Sequence, residues 1–277
     1  MKKTYQEIFR SIQANKSKLP AAPDIGIKIL SALNKPNGDV KQVVKIIEND
    51  AGLVAFIIKT ARSVRFLTKN APKDLESAVL RIGMRETYHL SIAFISRSVY
   101  SSPNREVLKH LRKARKFSTK LAVISYFLAG NISRIPPSQA LLAGLFQDIG
   151  VPVILVALEK HPDILNDEVK RKACIDALAS LVGRLMVKQW GFDDLVDVVN
   201  SRKNWVMDSP KACLSDLILI ARLHAMIGTN EFKECPPLHK LPAFTKFKFG
   251  ELGPDNTLQV LQDAQQEIAE IEAMLSA

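Results

Sequence analysis

The chain has 277 residues, 47% of them apolar and 24% charged, with a net charge of +11 at neutral pH. That length holds one large domain or a core with a smaller subdomain, and that composition excludes disordered and fibrous classes. The cationic excess points to an anionic partner, whether nucleic acid, acidic protein or nucleotide, or serves solubility alone.

Aromatic residues make up 6% of the chain and the apolar set is mainly Leu, Ile, Val and Ala, which suits helices packed on helices. Tyr5, Ile8, Phe9 and Ile12 repeat at three and four residues and predict a first amphipathic helix. Leu19-Pro20-Ala21-Ala22-Pro23-Asp24 breaks it, because proline fixes φ and removes a donor. Asp24 restarts a helix with Ile25, Ile29 and Leu33 on one side, and Asn37-Gly38 turns the chain. Asp39 is the expected N-cap for Val40, Val43, Val44 and Ile47, and Asp50 for Leu53, Ile57 and Ile58. After a basic loop over 62–72, Asp74 opens a short helix ending near Gly83, and another runs over 84–100 until Ser102-Pro103-Asn104 stops it. The longest helix is expected over 105–129, with Gly130-Asn131 as its C-cap. Pro136-Pro137 leads into a helix over 138–146, and others follow over 151–160, 168–190, 193–201 and 210–227. From 228 to 253 prolines and glycines punctuate a connection without strong periodicity. Leu258, Leu261, Ile268, Ile271 and Leu275 then mark a closing amphipathic helix. No run alternates at period two. The expectation is an all-α chain of two loosely separable helical halves, residues 1–135 and 136–228, with 229–277 a Pro/Gly-rich connection and a C-terminal helix packed on the domain.

No segment reaches the roughly 20 apolar residues that span a bilayer; the best, 151–158 and 217–223, are short and flanked by charge. Lys2 and Lys3 precede no apolar run, so no secretory leader is expected. Cys174, Cys213 and Cys235 are odd in number and lack CxxC spacing, which fits incidental thiols in a reducing compartment. A cytoplasmic protein without a membrane partner is expected.

Several motifs in order resemble a known family. Leu19-Pro20-Ala21-Ala22-Pro23-Asp24, Glu48-Asn49-Asp50-Ala51-Gly52-Leu53, Ala61-Arg62-Ser63 and the stretch 78–83 are similar to the opening of the HDOD domain, the HD-related output domain of bacterial signalling proteins. Leu142-Ala143-Gly144-Leu145-Phe146-Gln147-Asp148-Ile149-Gly150 resembles the segment that in HD-related proteins usually reads Gly-Leu-Leu-His-Asp-Ile-Gly. Val182-Gly183 and Trp190-Gly191-Phe192 resemble the family's downstream helix pair, and the likeness covers residues 10–228. It implies a compact multi-helix HD-like fold descended from metal-dependent phosphohydrolases. In those enzymes imidazole and carboxylate ligands hold a divalent ion that activates water towards phosphate.

The resemblance also implies that this metal site is dismantled. Gln147 stands where the signature His belongs, Phe117 where an earlier His ligand is placed, Ala179 four residues before Gly183 where another is expected, and Arg222 near a final Asp. The stretch 200–204 contains no His. Asp148 alone remains, and one carboxylate does not hold Mg²⁺ or Mn²⁺ unaided. The local expectation for Asp148 is that it bonds backbone amides at a helix end, and for Gln147 that it satisfies internal hydrogen bonds. His89, His110, His161, His224 and His239 form no pair at helical spacing and are expected to be surface or hydrogen-bonded histidines. No phosphate loop or nucleophile elbow is present, so no catalytic residue, metal ligand or cofactor is expected.

Arg105, Lys109, Arg112, Lys113, Lys116 and Lys120 fall along one helical stripe, with Arg115 nearby and Glu106 the single acid. Val107, Leu111, Ala114, Leu121 and Ile124 take the core-facing side. The stripe is a candidate surface for an anionic partner or a solvated helix face; Arg62, Arg65 and Lys69 form a second, loop-borne cluster. Phe244, Phe247 and Phe249, interleaved with Lys246 and Lys248, are expected to dock on the core rather than to stack on bases. The functional expectation is a non-enzymatic regulatory module that binds a protein partner or a nucleotide messenger. A residual HD-type phosphohydrolase and a nucleic-acid binder using the basic helix are the alternatives.

Overall fold

A computed structural model of the chain describes residues 2–15, 19–20, 24–33, 39–63, 66, 71–207, 209–237, 240–247, 261–262, 265 and 268–269. The Asn37-Gly38 turn, Arg65, Lys69, His239, Lys248, Phe249, and Leu258, Ile271 and Leu275 of the closing helix lie outside the described residues. Every regular element among the described residues is helical and none is a strand, so the fold is all-α as the spacing predicts.

The first helices follow their caps. α1 (Lys2–Ala14) and α2 (Asp24–Leu33) carry the expected apolar faces, with Ile8, Ile12 and Ile29 buried. α3 (Val40–Ile47) starts where the Asp39 carboxylate accepts from the Gln42 amide at 3.3 Å, and α4 (Ala51–Ala61) where Asp50 accepts from Leu53 at 3.0 Å. α5 (Leu75–Ile82) begins in a reciprocal cap between Asp74 and Ser77 and ends at Gly83, whose φ of +89° favours glycine. α6 (Met84–Ile95) tightens into a 3₁₀ turn over Ser96–Tyr100 rather than continuing as α-helix.

α7 (Arg105–Ile132) is the spine of the molecule and packs most extensively on α8 (Pro137–Phe146). It runs through Gly130 instead of stopping there. The Asn131 side chain donates to the Phe127 carbonyl at 2.8 Å, the Ser133 amide reaches Ala129, and Gly130 is not among the residues with positive φ. The expected boundary between halves at 135/136 falls in the short link between these two closely packed helices, and a single apolar core runs from Ile8 to Phe247.

Pro137–Lys160 is longer and more apolar than the sequence spacing suggests, and its most apolar 18-residue window has a mean hydropathy of 2.1 and is 89% buried. A turn over 147–149 splits it into α8 and α9 (Gly150–Ala157), and both halves face the core, which accounts for its composition. A 3₁₀ turn over Leu158–Lys160 and the short α10 (Pro162–Leu165) lead to α11 (Glu168–Gln189), which packs on α9 and α1. The expected helix over 193–201 is a 3₁₀ turn, Asp193–Leu195, followed by α12 (Val196–Asn200).

α13 starts at Leu214, not at Pro210, and ends at Met226. Its N-cap is Cys213, whose amide donates to the buried Asp216 carboxylate at 3.0 Å, while Lys246 and Ser209 bind the same carboxylate. The connection after 228 holds a 3₁₀ turn, Asn230–Glu234, and α14 (Pro242–Lys246), neither of which its proline spacing announces. Phe244 and Phe247 dock in the core, and Leu261 and Ile268 pack against it.

Candidate functional site

Aromatic packing fixes the Gln147-Asp148 turn. Phe146, fully buried at the end of α8, meets the Trp190 and Phe192 rings edge-on, each at 5.4 Å between centroids. Trp190 is held in turn by its indole N–H, which donates to the Pro20 carbonyl at 2.9 Å, so two motifs 170 residues apart meet behind the site. On the far side of the turn Gly150 crosses α11 so closely that a Cβ there would stand 2.4 Å from the Ala179 carbonyl and 2.6 Å from the Gly183 amide. Only glycine permits that approach, and it sets the direction in which Asp148 points.

Asp148 bonds guanidiniums rather than backbone amides. Its Oδ1 accepts from Arg202 Nε, and its Oδ2 accepts from both Nη1 and Nη2 of Arg222 at 3.1 Å. Arg222 Nη1 also donates to Gln147 Oε1 at 2.9 Å. Outward, Arg202 Nη1 and Lys203 Nζ each reach Asp176 Oδ1 at 2.9 Å, and Lys203 continues to Glu231 at 3.0 Å. Three cations therefore face three carboxylates in a chain from α8 through α11 to the turn after α13. Lys203 takes the left-handed backbone region, with φ of +60°, to reach both acids.

Burial alone would raise the Asp148 pKa, but the Arg202 and Arg222 guanidiniums outweigh it and hold the carboxyl well below the usual carboxylate range. Asp176 shifts the same way: burial raises it, and the hydrogen bonds from Lys203 and Arg202 prevail. Gln147 Nε2 and Arg222 Nε are buried donors with no acceptor among the described residues.

These residues do not fit a divalent metal. Both oxygens of the only carboxylate in the turn are taken by guanidiniums, and a permanently charged Arg222 occupies the space between Asp148 and Gln147. Among the described residues no group of three His, Cys, Asp or Glu side chains is arranged to hold an ion.

Phe117, Gln147, Asp148 and Arg222, which the family resemblance groups, lie together, with the Arg222 guanidinium 5.0 Å from the Phe117 ring centroid. Ala179 lies at the α9–α11 crossing, and Ile175, one turn earlier, lines the adjoining cleft together with Glu168 and Arg171 of the same helix. Arg202 and Asp176 went unremarked in the sequence. The signal that would have found the network is a cation, Arg202, within the stretch 200–204 that lacks a His.

On α7, Arg105, Lys109, Arg112, Lys113 and Lys116 are exposed and Lys120 half-buried, while Val107, Leu111 and Leu121 are fully buried. No carboxylate stands within ion-pair distance of these six cations among the described residues.

The histidines divide. His89 Nδ1 lies 2.9 Å from the Ser138 hydroxyl, which donates to Glu86. His224, expected to be exposed or hydrogen-bonded, is neither: it is 4% exposed on α13 and both ring nitrogens lack a partner among the described residues. The helix is buried on nearly every side, so its register leaves the ring no route to water. Burial lowers both histidines to about 4. Because the folded values lie below the unfolded value of about 6.5, the unfolded chain binds more protons between pH 6.5 and 4. Stability is then complete above pH 6.5 and falls by about 1.4 kcal/mol per pH unit per histidine as pH drops towards 4. Urea unfolding across that range is expected to show this slope, and His224→Leu to remove one histidine's share.

The sequence profile of the HDOD domain matches residues 19–204. A solved structure from Shewanella amazonensis SB2B, named for the metal-dependent phosphohydrolases, is similar over 99% of this chain and 100% of its own, at 21% identity and a TM-score of 0.77. An HDOD domain protein of unknown function from Geobacter sulfurreducens is similar over 99% of this chain and 98% of its own, at 18% identity and a TM-score of 0.66. Identities of this order carry the fold alone. An uncharacterized protein of Treponema pallidum (strain Nichols) is 26% identical over 152 residues, 53% of this chain and 28% of that protein, so the chain spans less than a third of that relative.

Proposed function

We propose, for a chain that belongs to the HDOD domain family, that it is a non-catalytic cytoplasmic regulatory module, acting by binding a protein partner or a nucleotide messenger. The observation that carries this reading is the Arg222 guanidinium, bonded to both Gln147 and Asp148 where a metal would need open ligands. Hydrolysis of a phosphate ester by the HD route needs an activated water on a metal. With Asp148 committed to two arginines, no carboxylate in the turn is left to hold the ion or to take a proton.

Five exposed cations of α7 and the half-buried Lys120, without acidic partners among the described residues, support a binding role, since they raise the local potential and favour an acidic surface. Nucleic acid is the second reading of the same face, and a binding constant that falls steeply with salt and collapses in Arg112→Glu/Lys116→Glu would favour it.

The test is elemental analysis of the purified chain together with turnover of bis-p-nitrophenyl phosphate in added Mn²⁺, Mg²⁺ or Ni²⁺. Metal well below one ion per chain and no turnover above the metal-only rate are expected. One tightly held ion per chain, or saturable hydrolysis, overturns the reading.

A further inference from the structure

The charge network does not account for the cleft beside it. Between α7 and α11 lies a cavity of about 280 Å³, near the lower end of the range for small-molecule sites (about 300–1,000 Å³). Lys113 stands on the α7 wall and Arg171 faces it from α11, with His110 half-buried alongside. Neither cation has a carboxylate within ion-pair distance among the described residues, and the hydrogen bond of Arg171 goes to the Leu165 carbonyl. Of the acids that line the cavity, Asp148 is bonded to Arg202 and Arg222, and Glu231 to Lys203. Glu168, exposed on the rim, has no ion-pair partner among the described residues. Burial first, then Arg171, Lys113 and Lys109, lowers the proton affinity of His110, which is what an excess of positive charge at the mouth does.

Deeper in, Phe117, Val151, Leu155 and Ile175 form an apolar floor, beside which Arg202 and Arg222 are bonded to Asp148. A cationic mouth over an apolar floor matches a ligand with the opposite arrangement. We propose that this cleft binds an amphipathic organic anion, its apolar body seated on Phe117 and Ile175 and its phosphate or carboxylate head held between Lys113 and Arg171. The proposal rests on the regulatory reading above and gives it a ligand chemistry. Arg222 forms the inner wall, so an occupant touches the same helices, α7 and α13, that carry the charged face and the buried network.

The experiment is calorimetric titration of the full chain with two probes, AMP for the phosphate head and octanoate for the carboxylate head. Saturable binding of at least one, at one site per chain, is expected, and which one binds assigns the head group. Lys113→Glu/Arg171→Glu is expected to weaken it by at least about tenfold, since both charge-assisted hydrogen bonds to the head group are lost and two like charges face it. Ile175→Trp, which fills the floor and leaves the charges in place, is expected to weaken it as well. Arg105→Glu/Arg112→Glu, with the same change in net charge but outside the cleft, is expected to stay within about twofold. Absence of saturable binding by both probes overturns the proposal, as does binding that survives Lys113→Glu/Arg171→Glu undiminished. Metal content and phosphodiester turnover are measured on the same protein without either probe, so a failed titration leaves the outcome for the regulatory reading standing.

Discussion

Asp148→Ala is expected to lower the free energy of unfolding by about 3–5 kcal/mol at pH 7, measured by urea denaturation. The side chains of Asp148, Arg202 and Arg222 are exposed by only 7%, 7% and 3%, so removing the carboxylate strands Arg222 out of water and leaves Arg202 with Asp176 alone. The loss is the cost of uncompensated buried charge more than the net worth of the ion pairs. A triple variant, Asp148→Leu/Arg202→Met/Arg222→Met, is therefore expected to recover most of it, because it removes the desolvation cost together with the attraction. Asp176→Ala sets the contrast: that side chain is 37% exposed, and its loss is expected to cost about 1 kcal/mol or less. The sign with pH follows from the depressed folded pKa of Asp148. Its contribution is complete above the unfolded carboxylate range, near 4, and disappears as pH falls below it, so the gap between wild type and Asp148→Ala should close in acid. A gap that persists unchanged at pH 2 would show that packing, not charge, holds the turn.

Gly150→Ala is expected to cost about 3 kcal/mol, the upper part of the usual range for overpacking. The new methyl would meet backbone, the Ala179 carbonyl and the Gly183 amide, and backbone cannot rotate aside. Gly183→Ala supplies the comparison across the same crossing. Its Cβ would stand 2.6 Å from Cγ1 of Val199, a side-chain atom that can move, and alanine inside α11 gains up to about 1 kcal/mol of helix propensity over glycine. The two variants should differ clearly in urea midpoint, with Gly150→Ala the less stable. Equal stabilities would mean that α9 and α11 separate more freely than their contact suggests.

What the sequence makes legible here is mostly local. Asp39, Asp50 and Asp74 announce their helices because a cap acts within three residues of itself. Gly130 misleads for the same reason: it looks like a stop, but the chain beyond it finds hydrogen bonds that continue the ladder. The motif resemblance locates Gln147, Asp148 and Arg222 because it carries their order along the chain. It says nothing of Arg202, which reaches Asp148 across 54 positions, or of Asp176, which reaches Arg202 across 26. Such pairings depend on how α9 crosses α11, and that crossing rests on two glycines whose importance lies in the atoms they lack. His224 is hidden differently. A histidine on a helix is ordinarily placed by its polarity, and here the burial of the whole of α13 overrides it.

The Trp190–Pro20 hydrogen bond has a kinetic consequence. It joins residues separated by 170 positions, and the entropy of closing so long a loop must be met before the contact returns anything. The local contacts of the α7–α8 hairpin carry no such cost and can form early. The clasp is therefore expected to close late in folding and to open early. Protection of the Trp190 indole from hydrogen exchange would report whether the N-terminal segment has closed over the aromatic cluster behind Asp148.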